Sequence, residues 1–362
     1  MLLNFDTIRA MSDFLATAYP RLASRLPRLR LAELPTPIDT MTLRNAGGRH
    51  HISIKRDDLT GKLYGGNKVR KLEYLLHKAQ ERDSRHIATF GTVASNHALA
   101  TTLYARSLGL ECTCFLSHQT KTANAAKALN LHLQMNTHIV PYGGGRKSRV
   151  ATLREHLTDR RVFLIPLGGS NWLGAVGFVN AGLELAAQIA AGDIGIPDRL
   201  YVANGTMATA VGIALGLALA RLPTQVQAVQ VTESFVSSPE SMHRLLAKTA
   251  FALQQLDASV PVDLADRANY RFRTGFLGEG YAKTNDATER AIAVARDKLG
   301  ISLEATYTGK AMAALLQDLD ENRDGRENIL FWNTYNSRPL SADTERPANT
   351  DKLPEAFLRY FD

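Results

Sequence analysis

The chain has 362 residues, 45% of them hydrophobic and 22% charged. That composition excludes a mostly disordered chain and leaves room for about two domains or one large α/β unit. Only 2 cysteines exclude a disulfide framework, and a net charge of +8 is a bias toward anionic ligands, not a nucleic-acid signature.

At the N-terminus Leu2, Leu3, Phe5, Ile8, Met11 and Leu15 recur at helical spacing and predict an accessory helix. Asp6 and Asp13 argue against a transit peptide, so the cytoplasm is the expected compartment. Next comes IKRDDLTGKLYGGNKVRKLEYLL from Ile54. Gly65 and Gly66 allow a tight turn and close approach to a ligand. Lys68 then opens a helix whose apolar face is Val69, Leu72, Leu75 and Leu76. A helix N-terminus disfavours the ammonium form, and Arg70 and Lys71 push the same way. Such an amine can form a Schiff base, although on local physics alone a surface lysine is the commoner state.

From Arg85 onward short aliphatic runs alternate with helical periods. Strands are predicted at His86–Phe90, Glu111–Leu116, Thr137–Val140, Val162–Ile165, Leu200–Ala203 and Val226–Val231. Helices are predicted between and after them, at Asn96–Ser107, Ala123–Met135, Arg146–Thr158, Leu173–Ala191, Met207–Arg221 and Pro239–Gln254. This βαβα alternation calls for parallel sheets covered by helices, in one long sheet or in two domains. Cys112 and Cys114 fall on one face of a strand and read as buried free thiols. The apolar run Ala208–Ala220 is too short to span a bilayer, which needs about 20 residues, and reads as a core helix. Three loops follow strands and open helices with small or hydroxyl residues: Thr92–His97, Gly168–Asn171 and Asn204–Thr209. Three such anion-attracting helix starts suggest a ligand with more than one anionic group.

Several strings together resemble the D-cysteine desulfhydrase / 1-aminocyclopropane-1-carboxylate deaminase family. These are pyridoxal-phosphate enzymes of the tryptophan-synthase-β-like fold (fold type II). The strings are LPRLRLAELPTPI from Leu26, IKRDD with GGNKVRKLEYL, SNH at Ser95–His97, PLGGSNWLGAVGFV from Pro166 and TYTGKAM from Thr306. The resemblance implies two parallel-sheet α/β/α domains with the cofactor in the cleft between them. The large domain would be residues 26–82 and 172–362, the small inserted domain 83–171, and 1–25 a helical extension. It implies a homodimer acting on a small amino acid, with neither a nucleic acid nor a membrane as partner and no metal.

By the same resemblance Lys68 carries the cofactor and moves the Cα proton, and Asn67 lies beside the ring hydroxyl. Gly205, Thr206, Met207, Ala208 and Thr209 cradle the phosphate. Ser95, Asn96 and His97 take the substrate carboxylate, with Ser95 also assisting proton transfer and Gly169 adjoining the substrate. His97 could equally cap or pack. Tyr281 and Tyr307 line the substrate face, and Thr308 faces the pyridine nitrogen. YTGK resembles the desulfhydrase branch, where the deaminases have YEGK. The implied reaction is α,β-elimination on a D-amino acid, best D-cysteine to pyruvate, ammonia and hydrogen sulfide. Alternatives are a 1-aminocyclopropane-1-carboxylate deaminase, a β-replacement synthase, a racemase, or a catalytically idle relative that binds a small anion or a partner. The chain departs from the family at Ala94, Met207, Tyr335 and Asn336. Bulk is therefore expected at the phosphate loop and beside the cofactor, with Tyr335 on the substrate.

Overall fold

The computed structural model describes residues 13–45, 48–159, 161–321, 327–339 and 350–361. Of the expected N-terminal helix, Leu2, Leu3, Phe5, Ile8 and Met11 lie outside the described residues, and Leu15 sits in the short helix Phe14–Ala18. Among the described residues ten strands follow: β1 Ile38–Asn45, β2 Gly48–Lys55, β3 His86–Thr92, β4 Glu111–Ser117, β5 His138–Pro141, β6 Val162–Leu164, β7 Arg199–Asn204, β8 Gln225–Gln230, β9 Tyr270–Arg273 and β10 Ile329–Trp332. The six predicted strands are all present. The β1–β2 hairpin, β9 and β10 were not anticipated.

The chain divides into two units. One comprises residues 1–74 and 170–338, the other 75–169 and 339–362. The C-terminal segment therefore goes with the smaller unit, where the resemblance had put it with the larger. The reason is local: Phe357 and Tyr360 are buried, with their rings 5.2 and 6.0 Å from that of His118.

In the larger unit the strand order is β1-β2-β10-β7-β8-β9, parallel except for the antiparallel hairpin. Side chains of a strand alternate between faces, and a parallel sheet buries both. Leu200, Val202, Val226, Ala228, Leu330 and Trp332 enter one core, with the helices Trp172–Ala190 and Ala208–Leu219. Tyr201, Ala203, Val229, Ile329 and Phe331 enter the opposite core, with Asp286–Leu299 and Thr308–Glu321. This is a three-layer α/β/α unit. By length and hydropathy Trp172–Ala190 could cross a bilayer, but it is mostly buried in this core. A Cβ on Gly177 would lie 2.2 Å from the carbonyl oxygen of Arg70. Only glycine lets this helix approach the one that Lys68 opens so closely.

The smaller unit has a parallel sheet in the order β5-β4-β3-β6. Cys112 and Cys114 are buried free thiols, both within reach of the Thr102 hydroxyl. In each sheet the strand order reverses once. The reversal falls at the C-terminal end of β7, beside β10, and at that of β3, beside β6. Ligands of open α/β sheets bind at such switch points, and the Asn204–Thr209 and Thr92–His97 loops leave from these ends.

Candidate active site

The site in the larger unit is built around the turn before Lys68. Gly66 has φ +87°, a left-handed conformation that suits glycine. Its N–H donates to the Asp57 carbonyl at 2.8 Å, and Asn67 N–H donates to the Thr334 carbonyl at 3.2 Å. The Gly65 N–H donates to Oδ1 of Asn336 at 2.6 Å. Asn336, expected beside the cofactor where the family has glycine, bonds to the turn that precedes Lys68. Its carboxamide ties the strand end after β10 to the lysine-bearing turn, and it also accepts from Arg338 N–H at 3.0 Å.

The helix Lys68–Glu81 starts at Lys68, as expected. Burial pushes the Lys68 amine down to about 8 against a partial upward pull from Glu304. Arg70, expected to act on Lys68, points into a different cluster. Its guanidinium is bidentate on Asp57 and also donates to Glu184 at 2.8 Å. Lys55 Nζ completes this buried quartet with a 2.5 Å bond to Glu184. Burial raises the Glu184 carboxyl, but Arg70 and Lys55 outweigh it and hold the group at about 2. The quartet clamps the base of the helix; the depressed basicity of Lys68 is set by its own burial.

One turn on, Lys71 shares the face of Lys68, the i,i+3 relation. It is buried, and its Nζ lies 3.4 Å from the Ser170 hydroxyl. Burial and then the charge of Lys68 push its amine well below the ordinary lysine range. Ser170 Oγ bonds to Thr206 Oγ1 at 2.6 Å, and Asn67 Nδ2 donates to Thr209 Oγ1 at 3.0 Å. Hydroxyls from two loops, an ammonium held at a disadvantage and the start of a fully buried helix thus converge. A dianionic phosphate is the partner this donor set suits. Sequence reasoning used Lys71 only as a neighbouring charge; its spacing from Lys68 was the signal that could have found it.

Met207 takes φ +72°, the conformation glycine would supply at low cost. Its side chain packs against the core beneath the loop. The substitution therefore adds backbone strain more than bulk toward a ligand.

Tyr307 lies over the loop, its Cε1 3.5 Å from where a Gly205 Cβ would be. Its hydroxyl bonds to that of Tyr281. Burial, and then Tyr281, raise the Tyr307 phenol well above its usual range, so it stays protonated. Glu304, absent from the sequence reading, organises the neighbouring helix start. Its carboxylate accepts from the N–H groups of Thr306, Tyr307 and Thr308 at 2.8, 2.8 and 2.9 Å. The Thr308 hydroxyl accepts from Glu304 N–H at 3.0 Å and donates to its carboxylate at 3.3 Å. Tyr335 is half-buried, and its N–H donates to Asn333 Oδ1 at 3.3 Å.

Ser95, Asn96, His97 and Gly169 belong to the smaller unit. Ser95 caps Asn96–Ser107, its oxygen accepting from Ala98 N–H at 3.2 Å. The His97 ring is buried and bonds through Nε2 to Thr89 Oγ1 at 2.9 Å. Thr89 donates in turn to the Ile165 carbonyl at 3.1 Å. That makes His97 the donor in this bond. Gly169 follows Gly168 in the left-handed region, at φ +61° and +65°. Among the described residues no three His, Cys, Asp or Glu side chains come together to hold a metal.

Comparison with known proteins adds the family. The model for "Pyridoxal-phosphate dependent enzyme" matches residues 29–334. The chain belongs to this family. A D-cysteine desulfhydrase of Klebsiella pneumoniae is 33% identical over 330 residues, covering 88% of this chain and 97% of its own. One from Salmonella paratyphi C is 32% identical over 329 residues with the same coverage. A crystal structure of an ACC deaminase homologue superposes with a TM-score of 0.72 at 27% identity, covering 90% of this chain and 95% of that one. As a pyridoxal-phosphate-dependent enzyme, the chain has a cofactor that the Lys68, Lys71, Ser170 and Thr206 donor set fits.

Proposed function

We propose that this enzyme is a lyase that removes a β-substituent and the amino group from a small D-amino acid, with D-cysteine as the substrate. The observation that carries the reading is Thr308. A hydroxyl stands at this helix start, where the deaminase branch has a carboxylate, and the curated relatives above are named desulfhydrases. The α,β-elimination, completed by one water that hydrolyses the released enamine, takes D-cysteine to pyruvate, ammonia and hydrogen sulfide.

Lys68 would hold the cofactor, and Lys71, Ser170 and the Gly205–Thr209 loop its phosphate, with Asn67 and Thr308 toward the ring. Pyridoxal phosphate supplies the electron sink for charge developing at the substrate Cα. The Lys68 amine, depressed to about 8, is poised near neutral pH to accept the Cα proton. Ser95 and its helix start take the substrate carboxylate. The Tyr281–Tyr307 pair, one of whose two protons is shared within it, donates the other in a hydrogen bond to the departing sulfur; with its phenol raised, Tyr307 stays protonated.

Product analysis tests the reading. Pyruvate and sulfide in equal amounts from D-cysteine support it. Ammonia and 2-oxobutanoate from 1-aminocyclopropane-1-carboxylate, with D-cysteine inert, would replace it with the deaminase reading. A new amino acid or racemised substrate alone would replace elimination with β-replacement or racemisation.

A further inference from the structure

Beyond the family match, the chain ends in a 3₁₀ turn, Glu355–Tyr360. Its two rings are buried in the smaller unit: Phe357 is 0% exposed and Tyr360 is 3% exposed. The Tyr360 hydroxyl clamps a single residue of the loop after β4. It accepts from Gln119 N–H at 3.0 Å and donates to the Gln119 carbonyl at 3.0 Å. His118 Nδ1 lies 3.3 Å from the same oxygen.

With its backbone fixed at both ends, Gln119 turns its side chain to the neighbouring loop. Its Oε1 accepts from Ala94 N–H at 3.1 Å. Ala94 immediately precedes Ser95, the cap of the helix Asn96–Ser107. At Ala94, where the sequence departs from the family it resembles, a carboxamide from another loop holds the backbone N–H. A continuous path of three hydrogen bonds thus runs from the chain's last turn to the residue before Ser95.

We propose that the C-terminal turn positions the Ser95 loop through Gln119, so that Tyr360 and Gln119 are positioning residues for recognition of the substrate carboxylate. The proposal rests on the carboxylate role given to that loop above. Without the clamp, the Gln119 side chain loses its fixed origin, the Ala94 amide opens more readily, and Ser95 and the amides behind it are less well ordered. Attachment of cofactor at Lys68 does not depend on this path.

The test uses full-length holoenzyme with Tyr360→Phe, which keeps the buried ring, and Gln119→Ala, which keeps the backbone. Two readouts are taken: hydrogen exchange of the segment 92–97, and steady-state kinetics with D-cysteine. Both variants are expected to exchange at Ala94 about tenfold faster and to raise KM roughly three- to tenfold, the effect of one lost hydrogen bond. The kcat stays within about twofold and the cofactor absorbance is unchanged, since the uniform-binding contact alone is lost. Unchanged exchange in both variants overturns the coupling. Faster exchange with unchanged KM overturns the positioning role. Ser95→Ala then shows where the fault lies: if it too leaves KM unchanged, the carboxylate reading of the loop has failed; if it raises KM, the relay alone has failed.

Discussion

Lys68 offers the sharpest quantitative prediction. An amine attacks an aldehyde only when neutral, and burial lowers this one to about 8 from 10.5, with Glu304 pulling it back upward. At pH 7 roughly one-tenth of such an amine is neutral, against about 3 in 10,000 for an ordinary lysine, a difference of about 300-fold in available nucleophile. The assay is the rate at which cofactor-free protein takes up pyridoxal phosphate between about pH 7 and 10, divided by the rate for N-acetyl-lysine in the same buffer. The division cancels titrations of the reagent itself. The protein's rate should level off near pH 8 while that of the free amine continues to climb. Glu304→Gln should move the protein's midpoint lower, because it removes the charge that favours the ammonium. A midpoint near 10.5, or a shift upward on removing Glu304, would refute the reasoning.

Other consequences follow from the same geometry. Lys71→Met should weaken pyridoxal phosphate binding by roughly 10- to 150-fold, the range for a hydrogen bond to a charged group of about 1.5–3 kcal/mol; equilibrium dialysis measures it. Because the Lys71 amine is held below the ordinary range, the unfolded chain binds the extra proton. Stability of the cofactor-free protein therefore rises with pH through the window below 10.5, and Lys71→Met should flatten that rise in urea titrations. Arg70→Met should destabilise the fold by about 3–5 kcal/mol, since it leaves Asp57 and Glu184 buried with one cation. Glu184, held at about 2 from 4.5, contributes stability that is present above pH 4.5 and lost as pH falls toward 2; the variant, in which Lys55 alone opposes burial, should weaken this dependence. At Met207, Gly should be less damaging than Ala by roughly 1 kcal/mol, because Ala keeps the left-handed strain and loses the packing. Equal denaturation midpoints would show that the loop carries no such strain.

Elements with strong local patterns were readable from the sequence. Asn96–Ser107 has an N-cap serine and a clear end, and its predicted bounds match. Buried parallel strands such as β4 and β7 stand out as aliphatic runs. The hairpin was missed because its second strand, GRHHISIK, opens with polar and exposed residues. At four residues, the apolar β10 is too short to separate from a helical fragment by period. For the candidate site, motif spacing singles out Lys68 and the loops. Through-space effects did not show: the quartet that captures Arg70 joins residues up to 129 apart, and Asn336 reaches back 271 residues to Gly65. Met207 is informative for a related reason. Its identity announced bulk, whereas the backbone conformation that decides its effect is visible only in three dimensions. The docking of Tyr360 on His118 and Gln119 lacks any local signature.

The central claim is that Lys68 is the residue that joins the cofactor covalently. Borohydride reduction of the cofactor-loaded protein, followed by peptide mass mapping, reads it directly. The account predicts a single pyridoxyl adduct on Lys68, lost in Lys68→Ala. An adduct on Lys71 or any other lysine, or no adduct in protein that has bound pyridoxal phosphate, would contradict it.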